Sequence, residues 1–179
     1  MSQPSSSTAP MAQSQGNKGK ITAATITAAL LIACPFIGSH EGDRLSSYQD
    51  VVGVYTVCEG ITGKAVRAGE RFSQAQCDAL DKSEIGQFLN QVVSLLKVNV
   101  SPSLLAAHTS FAYNVGIDGY RRSKTLSLTN SGRMASGCKA MGNWVTAGGR
   151  DCTILANGCY GVVNRRMDEI KLCLSGVAQ

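Results

Sequence analysis

The stretch HEGDRLSSYQDVVGVYTVCEG, residues 40–60, follows directly on an apolar run and mixes carboxylates with small and β-branched residues. Its second half, continued to Gly63, alternates apolar with polar or small residues and places glycines between the alternating segments. Alternation bounded by glycine predicts a short β-hairpin or three-stranded ribbon. Glu41 is then expected at the end of a helix, with Asp50 and Thr56 on the ribbon that faces it.

The two carboxylates, Glu41 and Asp50, suit the chemistry of glycoside hydrolysis. In that reaction a protonated acid reaches the leaving oxygen while a second carboxylate manages the attacking water. The pair is weak evidence by itself, because a Glu and an Asp at this spacing occur by chance in most proteins. Two solvated surface carboxylates therefore remain the alternative interpretation.

Further motifs along the chain narrow this choice. Eight residues separate Glu41 from Asp50 and five separate Asp50 from Thr56, and this spacing resembles the catalytic pattern of phage-type lysozymes, glycoside hydrolase family twenty-four. The similarity extends to the ribbon and to three distal motifs: SFAYNVGIDGYRRSKTLSLTN at 110–130, NWVTAGG at 143–149 and GVVNRR at 161–166. The resemblance implies a mainly helical α+β fold of the lysozyme type, with a small β-ribbon lobe, a larger helical lobe and the active site between them.

The same resemblance implies a role for each residue of the catalytic pattern. Glu41 is expected to be the general acid, and Asp50 and Thr56 are expected to orient and activate a water on the opposite face of the sugar. Such a pair inverts the configuration when the two carboxyl groups stand roughly 6.5–9.5 Å apart.

Four residues outside this pattern are also candidates. Asn114 and Gly116 lie in the YNVG motif and are expected to bind substrate, although an ordinary helix cap explains them equally well. Arg165 and Arg166 end the GVVNRR motif, and one of them is expected to pair with Glu41 across the cleft. No role is assigned to His108, because a lone histidine on an apolar helix face is more often packed in the core.

These roles predict a muramidase that hydrolyses the β-1,4 bond between N-acetylmuramic acid and N-acetylglucosamine in peptidoglycan. We expect a phage to use this enzyme to lyse its host. Transglycosylation of the same bond remains open, and the competing function is a catalytically silent peptidoglycan-binding or virion structural module with the same fold. No cofactor and no metal site are expected, and the protein is expected to be a monomer.

The N-terminal part of the chain predicts a membrane segment. Residues 1–20 are rich in Ser and Gln and are expected to be a disordered tail, whereas residues 21–38 carry no charge and are near the lower length limit for a membrane-spanning helix. The weak apolar character of this run resembles the anchor of signal-arrest-release endolysins of lambdoid phages. A retained anchor, a cleaved signal peptide, a lipoprotein signal and a buried helix of a soluble domain are the four interpretations. The catalytic domain is then expected to be residues 39–179.

Lys18 and Lys20 precede the apolar run, and positive charge before such a run predicts that the N-terminus stays in the cytoplasm. The remainder of the chain is then exported. We therefore expect attachment to the host inner membrane through residues 21–38, facing the periplasm, followed by release into the periplasm.

The seven cysteines fit an oxidising compartment, although buried thiols are the alternative. Relative to the family, DCTILANGC at 151–159 resembles an insertion, and a short disulfide between Cys152 and Cys159 is expected to close it. The pairing of the other domain cysteines stays open. Cys34, in the apolar run, is a candidate regulatory thiol that exchanges with a bridge involving Cys58, and lipidation of Cys34 is the rival interpretation.

The charge of the chain favours an anionic partner only weakly. The net charge is +5, and +3 remains from Ser39 onward because two lysines precede the apolar run. Proteins that bind single-stranded nucleic acid combine recurring basic residues with aromatic neighbours. The basic residues of this chain do not recur in that way. We therefore expect peptidoglycan as the partner and no nucleic acid.

Overall fold

The computed structural model describes residues 21–41, 45–49, 53–58, 61–62 and 66–177. The predicted disordered tail, residues 1–20, and the predicted catalytic residue Asp50 lie outside these ranges. Within them the helices are α1 Ala23–Glu41, α2 Gln74–Leu95, α3 Pro102–Val115, α4 Ile117–Arg122, α5 Lys124–Asn130, α6 Met134–Ala140 and α7 Gly161–Ser175. The strands are β1 Tyr48–Gln49, β2 Tyr55–Val57, β3 Ile61–Thr62, β4 Thr146–Ala147 and β5 Arg150–Asp151. Two single-turn 3-10 helices, Met141–Asn143 and Leu155–Asn157, flank β4 and β5.

The first three strands form the predicted ribbon. They are antiparallel in the order β1-β2-β3, with Thr56 of the central strand opposite Tyr48 on one side and Thr62 on the other. A disulfide between Cys58 and Cys77 joins the end of β2 to α2. Both cysteines belong to a small apolar cluster that forms the core of this lobe.

Helices α2 and α3 both begin at residue types that favour helix starts, and α3 ends at a glycine. Ser73 caps α2 in a reciprocal arrangement with Gln76, in which each side chain accepts a hydrogen bond from the backbone of the other. Pro102 occupies the first turn of α3, and Gly116, with φ +76°, ends it. Residues 104–112 of α3 are buried without interruption, so α3 is the central helix of the larger lobe.

Helix α1 packs against α3 and α2 as part of the helical core. Its fully buried residues are Ala29, Ala33 and Ile37, which lie four residues apart and so form one stripe. Two alanines in that stripe let the helix axes approach closely. The helix continues through the boundary expected between residues 38 and 39, so residues 21–38 and the domain share one core here.

The same helix is long and apolar enough to cross a membrane, with a mean hydropathy of 1.6. A core helix of a soluble domain can have the same length and composition. The packing in this structure agrees with the fourth interpretation of the apolar run, a helix of a soluble domain, along one stripe only, because 17% of the apolar window is buried. The other interpretations concern the chain while it is in, or has been processed at, a bilayer.

The C-terminal helix α7 packs across α3 and is tied to α6 by a disulfide between Cys138 and Cys173. The loop before α7 is closed by a disulfide between Cys152 and Cys159, the pair expected from the sequence. Trp144, just before β4, packs edge-on against Phe111 of α3. Helix α7 therefore begins directly after a loop closed by a disulfide and crosses the central helix α3. This crossing brings the first turns of α7 close to the end of α1.

Candidate active site

Glu41 is the last residue of α1 and carries the acid of the predicted catalytic pattern. Its side chain is 27% exposed, and its Oε1 accepts a hydrogen bond from Nη1 of Arg165 on α7. The two residues are 124 positions apart in sequence, so only the packing of α1 and α7 on α3 brings them together. Of the two arginines that the sequence offered as charge partners, Arg165 is the one that contacts Glu41.

A buried carboxylate lies behind this ion pair. Glu169, one turn after the arginines on α7, is fully buried, and Nε of Arg165 lies 3.3 Å from its Oε1. Nη1 of Arg166 lies 2.9 Å from its Oε2, and the hydroxyl of Ser110 on α3 donates to Oε1 at 2.7 Å. Arg165 therefore contacts two carboxylates at once, one at the surface and one in the core.

The electrostatic balance of this group follows from its burial. Burial raises the pKa of Glu169, and the guanidinium groups of Arg166 and Arg165 together with the Ser110 hydroxyl act in the opposite direction. Burial lowers the pKa of Arg166, which the charge of Glu169 opposes. Each buried ion is thus tolerated only because its partners are ionised as well.

Arg166 supports the end of α3. Its Nη2 donates to Oδ1 of Asn114, and its guanidinium lies 5.0 Å from the centre of the Phe111 ring. Asn114 is exposed, one residue before the end of α3, and Gly116 beyond it adopts a positive φ that only glycine takes without strain. These two candidate substrate residues lie at the end of α3 that Arg166 holds.

Other ionisable groups face the same region. His40 lies 3.8 Å from Asp168 of α7, and the pKa of His40 is lowered by burial and by the charge of Arg165. On α2, burial raises the pKa of Glu84, and Tyr113 of α3 donates a hydrogen bond that opposes this. The charge of Glu41 also acts on Glu84, which places a second acidic side chain in the field of the candidate acid.

Thr56 lies in the middle of the ribbon and is 3% exposed. Its hydroxyl donates to the carbonyl oxygen of Val54 at 3.1 Å, which leaves the lone pairs of the oxygen to accept a hydrogen bond. Asp50 falls outside the described residues, so the separation of the two candidate catalytic carboxyl groups stays a prediction.

Cys34 lies on α1 and carries a thiol. It lines a cavity of about 270 Å³ between α1 and α2, together with residues that include Gln74 and Asp78. The bridge with which Cys34 was expected to exchange is inaccessible in this fold, because Cys58 is 1% exposed and Cys77 is fully buried. A thiolate must reach a disulfide sulfur to attack it, so this exchange requires the ribbon lobe to be open.

The family model named phage lysozyme matches residues 38–169, which is most of the chain and includes the ribbon and both arginines. The chain belongs to the phage lysozyme family. It is therefore a glycoside hydrolase by family, with the fold and the candidate acid described above. This agrees with the resemblance found in the sequence.

Several phage proteins named SAR-endolysin are similar to this lysozyme-family chain. The one from bacteriophage PS119 is 34% identical over 93% of this chain and 99% of its own length, and the one from Escherichia phage N15 is 33% identical over 87% and 95%. Among solved structures, the muramidase domain of SpmX from Asticaccaulis excentricus superimposes with a TM-score of 0.70 at 26% identity, covering 87% of this chain and 97% of that one. A P22 lysozyme mutant gives 0.68 at 26% identity, covering 87% and 99%.

Sequence reasoning missed the buried part of this lysozyme-family site. Glu169 and Ser110 were not singled out, and neither were His40 and Glu84. A signal for Glu169 was present, since it follows Arg166 by three residues and Arg165 by four, the two spacings that share a helix face. Ser110 offered no such signal, because its contact depends on how α3 and α7 cross.

Proposed function

We propose that this chain is a phage endolysin, a muramidase that hydrolyses the β-1,4 bond between N-acetylmuramic acid and N-acetylglucosamine in peptidoglycan. The observation that carries the proposal is the position of Glu41 at the end of α1, partly exposed and paired with the buried Arg165, in a chain of the phage lysozyme family. Glu41 donates the proton to the leaving oxygen. Asp50 and Thr56 orient and activate the attacking water.

The contact between Glu41 and Arg165 holds the acid in one orientation between reactions. A general acid must be positioned within hydrogen-bond reach of the oxygen that it protonates. Because the guanidinium is itself fixed by Glu169, the carboxyl group of Glu41 is held against a rigid partner rather than a mobile surface side chain. Asn114 and Gly116, at the end of α3, are the proposed substrate contacts next to it.

The test is mass spectrometry of peptidoglycan fragments after digestion. The full chain is compared with Glu41→Gln, since a chain that starts at residue 39 would lack the buried stripe of α1. Hydrated muropeptides from the parent alone support the muramidase, and anhydro ends indicate transglycosylation. Glycan binding without cleavage fragments of either kind, from either protein, contradicts the proposal and supports a silent binding or structural module.

Regulation by the membrane is a separate part of the proposal. While residues 21–38 lie in the bilayer of the host inner membrane, α1 cannot pack on α3, so Glu41 and Arg165 cannot meet. Release into the periplasm lets α1 join the core, and the SAR-endolysin names of the relatives agree with such a cycle. Trapping the segment in the membrane with a longer run of leucines is expected to abolish lysis, and lysis at the usual time by that variant contradicts this regulation.

Cys34 is the proposed regulatory thiol of this cycle. Exchange with the bridge of Cys58 requires that Cys34 has left the bilayer while the ribbon lobe is still open, because the assembled ribbon buries that bridge. The variant Cys34→Ser tests it by the timing of lysis and by the disulfide maps of the membrane and released fractions. If neither changes, exchange is rejected, and the intact mass of membrane-extracted protein then decides whether Cys34 is lipidated.

A further inference from the structure

Glu169 is a fully buried carboxylate for which the proposed reaction has no direct use. It is too deep to touch the sugar, and a buried charge destabilises a fold unless its partners compensate for the lost hydration. Its partners here are one hydroxyl and two guanidinium groups, at 2.7 Å from Ser110, 3.3 Å from Arg165 and 2.9 Å from Arg166.

The three contacts connect the central helix to the candidate acid. Ser110 fixes Glu169 from α3, and Glu169 in turn contacts the Nε edge of Arg165. The Nη1 edge of the same guanidinium contacts Glu41. Because a guanidinium is planar and rigid, fixing one edge also fixes the other. The orientation of the donor at Glu41 is therefore set by a residue that does not touch Glu41.

The charges of the group make the same connection. With Glu169 ionised, the two arginines and the two glutamates sum to zero when Glu41 is ionised and to +1 when it is protonated. Without the charge of Glu169 these sums become +1 and +2, and the protonated form of Glu41 would face two buried cations with no counter-charge. A general acid needs its protonated form at the working pH.

We propose that Glu169 is a positioning residue for Glu41. It fixes the orientation of Arg165 from the core side and compensates part of the positive charge of the two arginines, so that Glu41 is oriented yet still able to hold its proton. The inference rests on the proposed function in that Glu41 is the acid. It adds a residue that acts through Arg165 and not on the substrate.

Within the described residues, three ionisable side chains interact with Glu41 directly: Arg165 on α7, His40 on α1 and Glu84 on α2. Asp168 and Arg166 of α7 act on His40, and the hydroxyl of Tyr113 on α3 donates to Glu84. Glu84 and Asp168 are partly exposed, so water and salt screen them more than they screen Glu169.

The test is Glu169→Gln in the full chain, a change that keeps the shape and the oxygen that Ser110 contacts. The alkaline limb of kcat/KM on peptidoglycan is expected to move down by about one pH unit, which is roughly a tenfold loss on that limb. The carboxyl carbon resonance of Glu41, followed by NMR, is expected to move in the variant, because its guanidinium partner Arg165 is no longer fixed by a charged Glu169. Asp168→Asn is the control, since it removes a charge from the neighbouring residue with a 56% exposed side chain and is expected to cause a much smaller change.

Three results separate the possibilities. If Glu169→Gln folds and both the activity limb and the Glu41 resonance stay in place, the inference is overturned. If Glu169→Gln does not fold, Ser110→Ala is used, and a shift in the same direction but smaller is required. If the parent does not cut peptidoglycan, the proposed function fails, whereas the resonance of Glu41 still decides whether Glu169 acts on it.

Discussion

His108 is a neutral, fully buried histidine at the centre of the helical lobe. Its Nδ1 lies 2.8 Å from the hydroxyl of Tyr120, and its ring packs edge-on against the Tyr120 ring. Burial lowers the pKa of His108 to about 3. The sequence left this residue without a catalytic role, and its position in the core gives it a structural one.

We expect the fold to become less stable as the pH is lowered, because of His108. The pKa of His108 is near 6.5 in the unfolded chain and about 3 in the folded protein, so between these pH values only the unfolded chain binds a proton at this imidazole. The contribution of His108 to the free energy of unfolding is therefore fully present above this pH range and is lost as the pH falls through it. The free energy of unfolding should drop by about 2 kcal/mol between pH 6.5 and 5 from this residue. Urea titrations at several pH values measure it.

His108→Gln is the matched variant for this measurement. Glutamine keeps a polar group near Tyr120 but does not titrate, so the pH dependence should flatten by that amount. An unchanged pH dependence would contradict the role of His108 and would point to His40, whose pKa burial also lowers.

Helix α1 has one sequence for the two environments that the proposed function gives it, the bilayer and the folded core. Its buried stripe contains Ala29 and Ala33, and its other faces carry threonines and Leu31, which is 66% exposed. Small residues allow close packing in the folded protein, and they also make the helix only weakly apolar in a bilayer. The two requirements therefore meet in the same alanines.

We expect Ala33→Leu to destabilise the folded protein by about 1–3 kcal/mol, because extra methyl groups in a filled interface force neighbouring side chains apart. Thr27→Leu, on an exposed position of the same helix, raises the hydropathy of the segment without this clash. Thermal unfolding of the released protein compares them. Equal melting temperatures for both variants would show that the interface between α1 and the core is loosely packed.

Two helix glycines differ in what surrounds them. A Cβ on Gly137 of α6 would lie 2.3 Å from the Thr129 hydroxyl and 3.0 Å from the Thr125 carbonyl oxygen, whereas a Cβ on Gly86 of α2 meets no atom of the described residues within 4 Å. Gly137 therefore allows α5 and α6 to approach. Gly86 has no such role in the folded state.

We expect Gly86→Ala to raise the free energy of unfolding by about 0.5–1 kcal/mol, because alanine loses less conformational entropy in a helix. Gly137→Ala should lower it, since backbone atoms of α5 would have to move. Chemical denaturation of the two variants beside the parent measures both signs. Stabilisation by Gly137→Ala would contradict the tight approach of α5 and α6.

At the scale of the whole molecule, the disulfides tie segments that are distant to different degrees. Cys138 and Cys173 are 35 residues apart and join α6 to α7, whereas Cys152 and Cys159 are 7 apart and close one loop. In the chain-entropy model a longer closed loop restricts the unfolded state more.

Replacing Cys138 and Cys173 by alanine is expected to cost about 3.8 kcal/mol, and replacing Cys152 and Cys159 about 2.4 kcal/mol, on that model. Urea unfolding of the two double variants under oxidising conditions measures the difference. The reverse order would indicate that the short loop contributes through the native state, for example by holding the start of α7.

Local sequence patterns determined the ribbon and several helix ends of this protein. The alternation after Ser46 predicted a short hairpin or three-stranded ribbon, and three strands form there. Ser73 caps the start of α2, Pro102 opens α3 and Gly116 ends α3, each through local hydrogen bonds or backbone preferences. These features depend on side chains within a few residues of one another, so one segment contains all the information. The motif spacing likewise predicted the family, which the family model shows, and singled out Glu41 as the candidate acid.

Only the tertiary structure decided what α1 packs against and which residues lie behind the candidate acid. The apolar run of α1 reads the same for a bilayer and for a protein core, because both remove it from water. Its packing on α3, the choice of Arg165 as the partner of Glu41, and the burial of Glu169 against Ser110 depend on helices that meet from distant parts of the chain. No local pattern encodes those crossings, since they follow from the filling of one shared core.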